Sequence, residues 1–119
     1  MIKRISSGGP YEAKVGYCRA VVAGGWVHVA GTVGQGDTVT EQCADALKTI
    51  HTALQKAGAD WADVVRVTYM LPDPDEFEPC WPLLEQTFGA HPPAATMISC
   101  ALLAPQFRIE IEVTAFLPT

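Results

Sequence analysis

The groups able to do chemistry are few and scattered along the chain. The four cysteines, Cys18, Cys43, Cys80 and Cys100, form no Cys-x-x-Cys pair. Zinc sites need ligands in close pairs and disulfide frameworks need a secreted setting. Free thiols in a cytoplasmic protein are therefore expected. Cys100, in an apolar stretch, reads as a small packed residue rather than a nucleophile. His28, His51 and His91 are equally dispersed, so no metal site is expected. What stands out is the pair Glu110 and Glu112 inside Arg108-Ile109-Glu110-Ile111-Glu112-Val113. Alternate residues of a strand share a face, so Arg108, Glu110, Glu112 and Thr114 point one way and Ile109, Ile111, Val113 and Ala115 the other. Two ionised carboxylates in mid-sheet need water or partners. That face is expected to meet another subunit across a partly wet interface, with Arg108 pairing with Glu110 across the pleat.

The elements that must carry these groups follow closely on one another. Ile2 to Ser6 suits a short strand. Cys18 to Ala23 and Trp26 to Ala30 read as a hairpin joined at Gly24-Gly25. Gly31 to Asp37 is a glycine-rich loop. Thr38 with Glu41 makes a capping box. Cys43, Leu47, Ile50, Leu54 and Ala57 then form one helical stripe that stops at Gly58. Val64 to Leu71 alternates as a strand does. Asp73-Pro74-Asp75-Glu76 starts a second helix that should run to Phe88, with Pro82 removing a hydrogen bond and bending it. Ala95 to Leu102 and Arg108 to Phe116 complete the order β-β-β-α-β-α-β-β. Two helices cannot cover both faces of such a sheet, so an α+β domain spanning residues 1–119, with both helices on one face, is expected.

Composition narrows the function classes. The 119 residues suit one domain. A net charge of −5 and the absence of any Lys/Arg run argue against nucleic-acid and anionic-membrane partners. Met1-Ile2-Lys3-Arg4 is followed by no long apolar run, so neither a signal peptide nor a membrane span is expected. Nearly half the residues are hydrophobic (49%), which in so small a domain suggests that part of the surface is covered by oligomerisation.

In order and spacing, Gly16-Tyr17, Ala30-Gly31, Ala57-Gly58-Ala59, Val64-Val65-Arg66-Val67, Pro93-Ala94-Ala95 and Arg108 to Val113 make the chain resemble the RidA/YjgF family along nearly its whole length. The resemblance implies a chorismate-mutase-like α+β fold, a homotrimeric barrel, and a small-molecule cleft between each pair of subunits. It also implies hydrolysis of reactive imines and enamines, such as 2-aminoacrylate, to keto acids and ammonia. That activity needs no metal or organic cofactor and protects pyridoxal-phosphate enzymes.

Carried over position by position, the resemblance makes Tyr17 the cleft tyrosine, Gly31 the residue whose backbone contacts ligand, and Glu110 the carboxylate that orients the attacking water. The family's arginine falls at Ala95, in an ungapped stretch up to Glu110. The segment Val33 to Asp37 is also shorter than is usual in the family. A guanidinium binds a carboxylate through two parallel hydrogen bonds. Its loss should cost at least about 2–3 kcal/mol, roughly two orders of magnitude in affinity. Thr96, beside the vacated position, could donate a neutral hydrogen bond to ligand. Arg19, two residues beyond Tyr17 and on the same side if the segment is a strand, is either a replacement anion binder or a solvated or subunit-pairing arginine. Two readings follow: a small-metabolite-binding trimer without the standard 2-imino-acid deaminase activity, or a hydrolase in which Glu110 and Tyr17 assist water attack on a substrate that needs no arginine.

Overall fold

The computed structural model describes residues 1–118; Thr119, the last residue of the expected domain, lies outside them. The body is a slab of 40 × 37 × 19 Å, the thickness of one sheet and one helical layer. Six strands run in the order β1-β2-β3-β6-β4-β5: β1 Ile2–Ile5, β2 Ala20–Ala23, β3 Trp26–Val33, β4 Val64–Leu71, β5 Ala94–Ser99 and β6 Glu110–Phe116. All neighbours are antiparallel except β4 and β5, so the sheet is mixed.

The β2–β3 hairpin turns at Gly24 and Gly25, whose φ values of 58° and 89° are left-handed. This is the backbone that a tight hairpin demands and that glycine supplies without steric cost. Strand β3 runs on through Gly31 to Val33, three residues further than expected. A break in register between Val29 and Thr32 lets it do so. The bulge absorbs the irregular backbone that the glycine content had suggested was loop.

Helix α2, Val39–Ala57, starts on the predicted capping box, with Thr38 Oγ1 accepting from the Glu41 amide at 3.2 Å. It lies across one sheet face and buries Cys43, Ala46, Leu47, Ile50, Ala53 and Leu54. Against them stand Val27, Val29, Val67, Ile111 and Val113, each no more than 4% exposed. Burying such side chains contributes about 1.5–3 kcal/mol each, and this layer is the main source of stability.

Three expectations are corrected. A helix α1, Pro10–Val15, precedes β2; Gly9, Pro10 at its first position and Glu12 in its first turn were its signal. The helix expected from Asp73 is broken into two 3₁₀ turns, Pro74–Glu76 and Glu78–Cys80, before α3, Trp81–Phe88. Pro79 and Pro82 cannot donate in a continuous helix, and Pro82 sits in the first turn of α3, where its missing N–H costs nothing. It therefore starts a helix rather than bending one. Lastly, β5 ends at Ser99 and β6 begins at Glu110. Cys100 thus lies just past β5, half-buried, with its amide on the Leu71 carbonyl at 3.1 Å. All four cysteines are free thiols.

Candidate functional site

Four of the sequence-predicted site residues converge. Helix α1 ends at Gly16, and the chain passes through Tyr17, Cys18 and Arg19 before entering β2. Gly31 comes from the bulged end of β3, and Glu110 opens the adjacent strand β6. Together with Tyr11 and Phe107, these residues line a cleft of about 410 Å³. Its rim is apolar and open: Leu103 is 87% exposed, Tyr11 56% and Tyr17 38%.

Gly31 and Glu110 are a matched pair. A Cβ at residue 31 would lie 2.1 Å from Glu110 Oε2. The carboxylate occupies the space a side chain would fill, which is why glycine stands there. Half-buried, Glu110 has its pKa pushed up by loss of solvation, and the negative charge of Glu112 adds to this, while the Arg19 guanidinium works the other way. A carboxyl group held above its ordinary range, over backbone and at the end of a cleft, is well suited to take a proton from water.

Arg19 is not a solvated surface arginine: only 8% remains exposed. Nη1 donates to the Gly31 carbonyl and to Thr32 Oγ1, both at 3.0 Å, and Nε donates to Ser7 Oγ at 3.4 Å. Nη2 reaches only Tyr17 Oη at 3.4 Å, and the guanidinium carbon sits 5.5 Å from the Tyr17 ring centroid. Arg19 therefore ties the β3 bulge to the Ser7 segment and positions Tyr17. One N–H edge remains for the cleft, not the two-pronged edge that clamps a carboxylate.

Two further residues fix this frame without having been singled out. Glu12 is buried, accepting from the Ser7 hydroxyl at 2.6 Å and from the Ser7 and Gly9 amides at 3.2 and 3.0 Å. Burial alone would raise its pKa, but hydrogen bonds from the Ser7 and Ser6 hydroxyls and the Gly9 and Ser7 amides outweigh it and hold the pKa at about 2. Gln42, also buried, donates to the Gly36 and Gln106 carbonyls at 3.1 and 2.9 Å and accepts from the Arg108 amide at 2.8 Å. It moors the approach to β6 on α2 and so sets where Glu110 begins. The expected Arg108–Glu110 pair does not form. Held by Gln42 outside the strand, Arg108 puts Nη1 2.5 Å from Glu76 Oε2 instead.

Ala95 and Thr96 are not in this chain's cleft. Ala95 lies opposite Val67 and Thr96 opposite Thr68 on β4. Val67 is in the core and Thr68 pairs with Glu112. Ala95 thus faces the helical side of the sheet and Thr96 the carboxylate side, both two strands away from Glu110. Thr96 Oγ1 accepts from Arg66 Nη1 at 3.3 Å. Every residue of β5 is exposed, and its outer edge has no partner strand among the described residues.

An α+β fold of one mixed sheet and few helices is known in solved structures. Its match to the Mycobacterium tuberculosis protein Rv2704, of the YjgF/YER057c/UK114 family, has a TM-score of 0.95 at 41% identity, covering 98% of this chain and 100% of that one. The family model described as Endoribonuclease L-PSP matches residues 9–117. Among curated relatives, the RutC family protein slr0709 of Synechocystis is 31% identical over 87% of each chain. The human 2-iminobutanoate/2-iminopropanoate deaminase is 29% identical, covering 97% of this chain and 90% of its own. The chain belongs to the RidA/YjgF family. No helix among the described residues is long and apolar enough to cross a membrane.

Proposed function

We propose that this protein is a homotrimer that binds a small metabolite in clefts between subunits and lacks the standard 2-imino-acid deaminase activity carried by relatives such as the human enzyme. The observation that carries this reading is the absence of a free guanidinium fork among the residues lining the cleft. The position expected to supply it is Ala95, and Arg19 already directs Nη1 and Nε to Gly31, Thr32 and Ser7. A carboxylate entering the cleft meets one N–H edge at most, and an apolar rim. A neutral or weakly charged ligand fits better. The trimer is supported by the bare β5 edge and by the exposed Tyr11, Tyr17 and Leu103 at the cleft mouth, which a second copy laying β5 across the cleft would cover. That arrangement also brings Ala95 and Thr96 of one subunit towards Glu110 of the next. The description "endoribonuclease" finds no support in a chain with 13 acidic and 8 basic residues and no basic track.

A second reading rests on Glu110. Its raised pKa and its place against Gly31 suit a group that takes a proton from water attacking an imine or enamine, with Tyr17 lining the same cleft. On this reading the protein is a hydrolase of a substrate without a carboxylate.

The test is ammonia release from freshly generated 2-aminoacrylate and 2-iminobutanoate, with wild type beside Ala95→Arg. Wild type should stay near the buffer rate, and Ala95→Arg should exceed it by about tenfold or more, since the restored clamp is worth at least about 2 kcal/mol. Robust wild-type turnover would overturn the reading. If a neutral imine is turned over instead, and Glu110→Gln abolishes that while still binding the product, the second reading holds.

A further inference from the structure

We propose a second binding site in this protein, an anion-binding groove on the helical side of the sheet that takes a phosphate monoester. A groove of about 320 Å³ runs between the Ile5–Ser7 segment and α2, where Asp45, Lys48, Thr49, Thr52 and Lys56 form its wall. These positions recur at three- and four-residue spacing, so they share one face of the helix. The face is polar and cationic on a chain whose net charge is −5.

Neither lysine of the groove is held in an ion pair: the ion pairs among the described residues are His51–Asp60 and Arg108–Glu76. Asp45, the one acid of the groove, accepts from the Gln35 amide at 2.8 Å. The negative end of the α2 dipole is blunted, because Lys3 Nζ donates to the Lys56 carbonyl at 3.0 Å. Arg19 forms part of the floor at 8% exposure and adds a third positive charge.

The donors suit a tetrahedral dianion. Lys48 and Lys56 are about 12 Å apart along the helix axis, and their flexible side chains can converge over Thr52 from either end. Thr49 has a hydroxyl proton that no acceptor among the described residues holds. Thr52 gives its proton to the Lys48 carbonyl and Ser7 gives its own to Glu12. Lysines act as movable point charges, and a phosphate dianion offers them twice the charge of a carboxylate. The groove exceeds a phosphate in size and leaves room for a small organic substituent. It adjoins the candidate cleft, and Arg19 lines both.

The groove shares Arg19 with the candidate cleft but uses neither Glu110 nor Ala95, so its lysines can be tested apart from the proposed function. Calorimetric titration of the full chain with inorganic phosphate and glycerol 3-phosphate at low salt tests it, with acetate as the carboxylate control. Saturable binding of one phosphate ester per chain is expected. It should weaken about tenfold or more in Lys48→Ala/Lys56→Ala and be unchanged in Glu110→Gln. Both lysines are exposed, so the double variant should keep the wild-type circular dichroism. No saturation with either phosphate probe, equal affinity in the double variant, or equal affinity for acetate would overturn the proposal.

Discussion

Glu110 occupies the space in which any side chain at residue 31 would sit, and the behaviour of the candidate site follows from that contact. Gly31→Ala should push the carboxylate aside while the sheet still forms. Ligand binding should drop with little change in the urea midpoint; unchanged binding would show that the carboxylate's position is immaterial. The raised pKa of Glu110 makes its charge a burden on the fold. Stability linked to this group is full below the ordinary carboxylate pKa and declines as pH rises through the folded value. Glu110→Gln should therefore melt higher than wild type at pH 7, with the gap closing below about pH 4.5. A variant that melts lower at neutral pH would contradict this. Arg19→Ala leaves the Gly31 carbonyl and Thr32 hydroxyl without their donor and should lower stability by about 2–4 kcal/mol in denaturant melts. At this scale the sequence was informative about which residues gather and uninformative about why. Spacing placed Tyr17 and Arg19 together, but that Arg19 is tied to the Gly31 carbonyl and the Thr32 hydroxyl depends on the β3 bulge, which only the folded chain defines.

At the scale of elements, the strands and α2 were readable because each repeats a buried side chain at its own period. The misreadings fall where the backbone departs from a period. The chain through Gly31 to Val33 is strand because a register break accommodates it. The segment after Asp73 is 3₁₀ because two prolines interrupt it. Helix α1 is too short for periodicity to reveal and is held by Glu12 instead. That carboxylate, with a pKa of about 2 against an ordinary 4.5, contributes stability that is present above about pH 4.5 and lost as pH falls towards 2. Glu12→Gln should lower the melting temperature at pH 7, with the difference from wild type shrinking on acidification over that window. A constant difference would place the effect in packing rather than charge. Arg108 and Gln42 show the limit of local reading: their partners, Glu76 and the Gly36 and Gln106 carbonyls, lie tens of residues away or across a loop.

At the scale of the whole molecule, the feature that calls for a partner is the uncovered strand β5. A bare strand edge invites pairing with another chain, and here Met97 and Ile98 are 39% and 45% exposed on opposite faces of it. Ile98→Asp should convert a trimer to monomers in sedimentation velocity, whereas a wild type that already sediments as a monomer would remove the inter-subunit cleft. The most direct test of whether this cleft lacks a carboxylate clamp is calorimetric affinity for 2-oxobutanoate beside its uncharged amide. Wild type should show no preference for the acid. Ala95→Arg should prefer it by about two orders of magnitude. A wild type that already favours the carboxylate by that margin would mean that a guanidinium does serve the cleft, in contradiction of the proposed function.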